Sequence, residues 1–324
     1  MTEETKKTAT GPPTCYICGA AKVALRRPKN GKAICESCFV MTFEEEIHQT
    51  ILAWKMYSPG DTVAVAVSGG KDSTVLMHVL DLLNKRHNYG IKLHLLSVDE
   101  GICGYRDKSL ETVYKNKDKY NLPLKVLSFK DMYGYTVDEI VKMKGLESCC
   151  THCGVLRRQA FDRGAMLIKA NKVATGHNAD DTAETVLMNV LRGDVNRIEK
   201  AAVAITHGGE GMCARTRPLL YCYEKEIVMY SHYRKLLYFS TECGYNPMAY
   251  RGNLRGLIKD LERVDSQSVI NILHSGSAIV LKQKVKKSKK CVCSRCGFAS
   301  SQKLCKACTI LEMLNSCKPQ IELK

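Results

Sequence analysis

Residues 63–83, VAVAVSGGKDSTVLMHVLDLL, pass from an apolar, β-branched run through six small, polar or charged residues into a second apolar stretch with helical spacing. Such a junction admits little besides a buried strand, a tight turn and an amphipathic helix. The pattern repeats along the chain. TVAVAV, KLHLLSVD, LKVLSF and KVATGH read as strands, and DSTVLMHVLDLLNK and DDTAETVLMNVLRG read as helices. Strands alternating with helices at this spacing predict an α/β fold, a parallel sheet covered on both faces.

The turn itself has the chemistry of an anion site. Gly69 and Gly70 let the backbone approach an oxyanion closely, and the following helix directs its positive end there. Ser68 and Ser73 carry hydroxyls, and Lys71 adds a point charge. The spacing is not G-x-x-x-x-G-K-[ST], so a kinase-type cradle for a γ-phosphate is not expected. An ordinary tight turn would also use two glycines, but it has no need of the lysine.

Charge points the same way. Lys and Arg number 49 against 33 Asp and Glu, giving a formal charge of +16 and a pI near 9.1. A polyanion, nucleic acid foremost, is the expected partner. The run KQKVKKSKK at 282–290 contains six lysines and reads either as a solvated linker or as an RNA-backbone contact. Arg251 and Arg255 are further basic candidates. The opening MTEETKKTATGPPT lacks the apolar core of a signal peptide, and no stretch approaches the roughly 20 apolar residues of a membrane helix. A chain read as non-exported, with 17 cysteines, is expected to use them for metals rather than disulfides.

Cys15, Cys18, Cys35 and Cys38 make two C-x-x-C pairs sixteen residues apart, and Cys293, Cys296, Cys305 and Cys308 make two more, eight apart. Each set predicts a closed four-sulfur zinc knot, structural because no coordination position stays open. A redox dithiol would leave the second pair of each set unexplained. Cys291 could substitute for Cys293, although C-x-x-C spacing favours Cys293. Three units are expected: an N-terminal zinc finger at 1–50, an α/β catalytic unit at 51–265, and a linker with a second zinc finger at 266–324. A third constellation, SCCTHCG, places Cys149, Cys150 and Cys153 at a helix start, with Arg157 and Arg158 one turn on. Spacing alone allows a zinc site (with or without His152), a redox pair or buried thiols.

SGGKDS after a strand resembles the signature of the PP-loop ATP pyrophosphatases. CTHCGVLRR, ATGHNADDTAETVLMNVLRGD and FSTECGYNPMAYRG, in this order, resemble the tRNA 2-thiolation enzymes of that family. The resemblance covers nearly the whole chain. It implies an adenine nucleotide α-hydrolase-like sheet that binds ATP and Mg²⁺ and releases AMP and pyrophosphate. Lys71 and Asp72 would be catalytic, with Asp181 in acid–base work or Mg²⁺ contact. Ser68, Gly69, Gly70, Ser73, Ser97, Arg157 and Gly176 would line the nucleotide site; Arg157 stands where some relatives carry lysine. Cys150, Cys153 and the distant Cys243 would hold a [4Fe–4S] cluster with one iron free of protein thiolate. Cys149 is then a spare, and Cys103, Cys213, Cys222, Cys291 and Cys317 have no assigned role.

The implied substrate is the wobble uridine of cytosolic tRNAs, adenylated at O2 and then thiolated. The implied partners are a thiocarboxylated ubiquitin-related modifier as sulfur donor and a second thiolation subunit or a second copy of the chain. Two other classes stay open at this level. One is a thiolase that uses a persulfide on Cys150 or Cys153 without a cluster. The other is a catalytically silent RNA-binding subunit, against which the intact SGGKDS argues.

Overall fold

The structure is a computed structural model and describes residues 13–20, 22–146, 148–207, 213–241, 243–245, 250–279 and 291–316. The lysine run at 282–290 and Cys317 lie outside the described residues. The chain opens with a two-stranded hairpin, β1 (Leu25–Arg26) and β2 (Ala33–Ile34), followed by α1 (Glu36–Ala53). The core then alternates β3 (Thr62–Ala66), α2 (Lys71–His87), β4 (Lys92–Asp99), α3 (Arg106–Tyr120) and β5 (Leu124–Ser128). Three helices follow, α4 (Phe129–Tyr133), α5 (Val137–Lys144) and α6 (Cys149–Leu167), and lead into β6 (Lys172–Ala174). Next come α7 (Ala179–Leu191), α8 (Val195–Ala201), β7 (Ile205–Thr206), β8 (Ala214–Thr216), α9 (Glu224–Tyr233), α10 (Tyr250–Val264) and α11 (Ser268–Ala278). A last hairpin, β9 (Cys291–Val292) with β10 (Ala299–Ser300), precedes α12 (Lys306–Asn315).

Six strands form one sheet in the order β5-β4-β3-β6-β8-β7, parallel except for the edge pair β7/β8. The four strands expected from sequence are its first four. Val63, Ala64 and Val65 of the central β3 are fully buried, which is why that strand reads as an unbroken apolar run rather than an alternating one. β7 and β8 are two and three residues long, too short to leave a periodic signal. The chain moves outward from β3 to β4 and β5, then returns past β3 to β6. This reversal opens a crevice at the carboxyl ends of β3 and β6, the usual ligand position in such sheets. Among the described residues no helix is long and apolar enough to cross a membrane.

Candidate functional site

The SGGKDS turn lies in that crevice. Gly69 has φ +73°, and a Cβ there would meet the Ser109 carbonyl oxygen at 2.6 Å, so only glycine fits. Around it the turn is tied by its own hydroxyls. Ser68 N–H donates to Ser73 Oγ (3.1 Å), and Ser73 Oγ donates to the Gly70 carbonyl (3.0 Å). Ser109 Oγ donates to the Ser68 carbonyl at 2.8 Å, and Phe239 N–H donates to the Gly69 carbonyl at 2.7 Å. Gly70 is the N-cap of α2 and makes no side-chain cap, so the positive end of that helix faces the crevice.

Two further segments close on the turn. Gly176, beyond β6, sits so close that a Cβ would be 3.0 Å from Asp72 C and 3.1 Å from Ser73 N. Asn178 then caps α7 in a reciprocal box with Asp181, and its Nδ2 donates to Asp72 Oδ1 at 3.0 Å. One side chain thus holds both acidic candidates. Lys71 Nζ lies 3.3 Å from Asp72 Oδ2 and 2.9 Å from Glu224 Oε1. Burial alone would lower the Lys71 pKa, but Asp72 and Glu224 outweigh it and keep the ammonium charged. Asp72 is pushed up by burial, against the Lys71 charge and with the help of Asp181 and Glu224. Ser97 lies buried near the end of β4, and Val67 N–H bonds to the adjacent Leu96 carbonyl at 3.0 Å, which places it beside the turn.

The thiols gather on the other side of the crevice. Cys150 and Cys153 begin α6, and Cys150 Sγ donates to the Tyr245 carbonyl at 3.6 Å, two residues past Cys243. Burial pushes Cys153 up to about 11, with the Arg157 charge opposing and Glu100, Cys243 and Cys150 adding to it. Arg157 ties the thiol turn to the end of β4: Nε pairs with Glu100 Oε1 at 2.7 Å, and Nη2 donates to Cys153 Sγ at 3.4 Å. Cys149 is buried, with its thiol pushed up to about 12 by desolvation, as a spare core residue would be. Phe239, bonded to Gly69, lies four residues before Cys243 in the chain. Four peptide steps of about 3.8 Å keep the Cα of Cys243 within about 15 Å of that of Phe239.

Both zinc tetrads are assembled. In each, the four sulfurs lie within 4.8 Å of one another, and among the described residues no other group does so. Zn–S bonds of about 2.3 Å put the corners of a sulfur tetrahedron about 3.8 Å apart. The Cys18–Cys35 and Cys296–Cys305 edges measure 3.7 and 3.6 Å, so both sets fit zinc. Backbone N–H groups at Cys18 and its neighbours hold Cys15 down at about 6. Those of Cys305 and Cys296 outweigh burial and do the same for Cys293. Cys150, Cys153 and Cys243 do not lie within 4.8 Å of one another, so they are not assembled as a tight single-ion site; an all-thiolate donor set suits an iron–sulfur cluster. Cys291 stands apart from the second tetrad, with its thiol toward the Ser300 and Gln302 carbonyls.

Glu224, Asn178 and Glu100 were not singled out by the sequence reading. Each has its partner far along the chain, so no local spacing reveals it. Arg251 and Arg255, expected as RNA contacts, turn inward to Glu184; Arg255 Nε is 2.9 Å from Glu184 Oε1.

Comparison with known proteins covers most of the chain. A PP-loop domain matches residues 41–261 and a zinc-ribbon matches 292–322. The chain is 54% identical over 311 residues to the cytoplasmic tRNA 2-thiolation protein 1 of Danio rerio, covering 96% of this chain and 91% of that protein. It is 57% identical over 300 residues to the protein of the same name in Drosophila melanogaster, covering 93% and 88%. Among solved structures it is similar to the U34-tRNA thiolase NcsA from Methanococcus maripaludis with its [4Fe-4S] cluster. The TM-score is 0.80 at 28% identity, covering 93% of this chain and 96% of that one.

Proposed function

The chain belongs to the cytoplasmic tRNA 2-thiolation protein 1 family of PP-loop proteins, and from that premise we infer that it is an ATP-dependent tRNA thiolase acting on the wobble uridine. One observation carries the reading: Phe239 is bonded to Gly69 of the anion-binding turn, and Tyr245, two residues past Cys243, is bonded to Cys150.

The reaction follows from what each half can do. Uridine O2 attacks the α-phosphorus of ATP and pyrophosphate leaves; sulfur then adds at C2, and AMP departs with the former O2. The Gly69 backbone, the α2 terminus and Lys71 offset charge on the phosphoryl oxygens. Asp72 and Asp181, held by Asn178, are the ligands proposed for Mg²⁺, with Asp181 also placed to take or give a proton. Ser97 and Gly176 line the nucleoside side. Arg157, tied to Glu100 and Cys153, carries positive charge beside the thiols and is the residue proposed to reach the nucleotide phosphates. Cys150, Cys153 and Cys243 would hold the [4Fe–4S] cluster, which when bound supplies an iron without protein thiolate at which sulfur can be retained. The anticodon loop suits the crevice because an unpaired base can be splayed into it.

Two zinc ions per chain are proposed, one in each tetrad. The units at 1–50, 51–265 and 266–324 remain our proposed division of the chain, although the matched PP-loop domain begins at residue 41, inside the first. A thiocarboxylated ubiquitin-related modifier as sulfur donor, and a second thiolation subunit or second copy of the chain, are likewise proposed. The test is anaerobic reaction of the iron-reconstituted protein with ATP, sulfide and tRNA, followed by nucleoside mass spectrometry. Thiolated uridine at position 34, with AMP and pyrophosphate as products, is expected. ADP as the tRNA-dependent product, or no thionucleoside, would overturn the reading.

A further inference from the structure

α6 carries the thiol pair at its start and something unexpected further along. Gln159 is buried, and its Nε2 donates to Cys305 Sγ at 3.5 Å and to Cys296 Sγ at 3.6 Å. Those are two corners of the C-terminal zinc tetrad. Gln159 Oε1 is buried with no hydrogen-bond partner. An amide in an apolar interface is costly unless it is hydrogen-bonded, so this one is retained for its donors. The reverse orientation would aim a carbonyl at two sulfurs that are anionic when zinc is bound. The surroundings are otherwise a shared core: Cys153, Leu156 and Ala160 of α6 cluster with Cys293, Ile310 and Leu314 of the zinc module. Arg163, one turn beyond Gln159, lies over the Phe298 ring at 5.2 Å, and Tyr135 Oη donates to Asn315 Oδ1 at 2.7 Å.

Cys153, Leu156, Gln159 and Arg163 follow one another at helical spacing on one stripe, and about 9 Å of helix rise separates Cys153 from Gln159. We propose that Gln159 is a positioning residue: its amide clamps the Cys296–Cys305 edge of the zinc knot onto α6, so that zinc in the C-terminal module fixes the helix turn presenting Cys150 and Cys153. Loss of that zinc frees the thiol turn, whereas loss of the N-terminal zinc does not. Amide donors to metal-bound sulfur also hold the ion, because outer contacts orient ligands and lower their escape rate.

The experiment uses the full-length, zinc-loaded, cluster-free chain with Gln159→Met, which keeps the side-chain shape without the donors, and Gln159→Glu, which sets a carboxylate against the thiolates. Zinc release to a colorimetric chelator is followed in time, and Cys150 and Cys153 labelling by iodoacetamide is read by peptide mass spectrometry. One of the two zinc ions should leave roughly 10- to 100-fold faster in Gln159→Met and faster still in Gln159→Glu. The other should leave at the wild-type rate, and Cys153 labelling should rise in step with loss of the faster ion. Unchanged release in Gln159→Met, equal acceleration of both ions, or faster release with unchanged Cys153 labelling would each overturn the proposal. Both readouts are of zinc and thiols alone, so their failure is distinct from failure of the thiolase reading, which concerns tRNA and ATP products.

Discussion

The two halves of the crevice are built in opposite ways. The phosphate half comes from one contiguous turn whose shape is set by its own hydroxyls and by Gly69. The thiol half is gathered from α6 and a segment some ninety residues later. Each half is backed by a different cysteine-tetrad module, and the modules differ in the polar contact each adds to an apolar core. The N-terminal module joins the main apolar core through Ile34, Phe39 and Phe43 and adds a buried ion pair, Arg27 Nε to Glu226 Oε1 at 2.8 Å. Glu226 sits one turn or less from Glu224, the partner of Lys71, so this module braces the phosphate half through α9. Phe43 stacks on Tyr230 of the same helix at 4.6 Å. The C-terminal module attaches to α6 through apolar residues and the Gln159 amide. Near-identical cysteine motifs thus carry different polar contacts, an ion pair and an amide, which motif spacing alone does not distinguish.

The largest expected effect separates the two anchors. Glu226→Leu leaves Arg27 half-paired in a buried site and should cost about 3–5 kcal/mol of stability in urea unfolding. Leu314→Ala at the other anchor should cost about 2–4 kcal/mol and should raise Cys153 labelling, which Glu226→Leu should not. Equal labelling in both variants would erase the distinction between the anchors. A smaller effect belongs to pH. His78 on α2 lies against Tyr230, and burial holds its pKa at about 4, below the ordinary 6.5. Its neutral form is the one folded, so its contribution is present above pH 6.5 and is lost as pH falls toward 4. On the order of 2–3 kcal/mol should disappear across that window, and His78→Phe should flatten the profile. Smallest is Glu224→Gln, which removes a carboxylate competing with phosphate for Lys71. ATP should bind a few-fold more tightly in calorimetric titration, about 1 kcal/mol at most. Weaker binding would show that Glu224 holds Lys71 in place rather than restraining it.

How much of this was legible follows the same division. The strand–turn–helix of 63–83 could be read as a phosphate site because every determinant lies within six residues. The zinc tetrads were legible because C-x-x-C pairs set two ligands locally, and the structure brings the pairs to tetrahedral spacing. Cys243 carries no local signal and came only from resemblance; the fold delivers it by bonding Phe239 to Gly69 and placing the Tyr245 carbonyl against Cys150. Glu224 reads as an ordinary acid at a helix start until Lys71 is beside it. Gln159 carries no local signal, and its partners, Cys296 and Cys305, lie well over a hundred residues away. Arg251 and Arg255 show the converse, since positive charge suggested RNA and the structure spends part of it on Glu184.

If the crevice holds two chemically separable halves, paired variants at Lys71 and Cys243 will part them. Lys71→Ala and Cys243→Ala are reconstituted anaerobically, and iron, single-turnover AMP formation with tRNA, and thiouridine are measured on the same samples. Lys71→Ala should retain its iron while AMP and thiouridine formation fall by roughly 10²–10³. Cys243→Ala should lose its iron and thiouridine while still forming AMP and pyrophosphate in the presence of tRNA. Full iron and thiolation in Cys243→Ala, or undiminished AMP formation in Lys71→Ala, would contradict it.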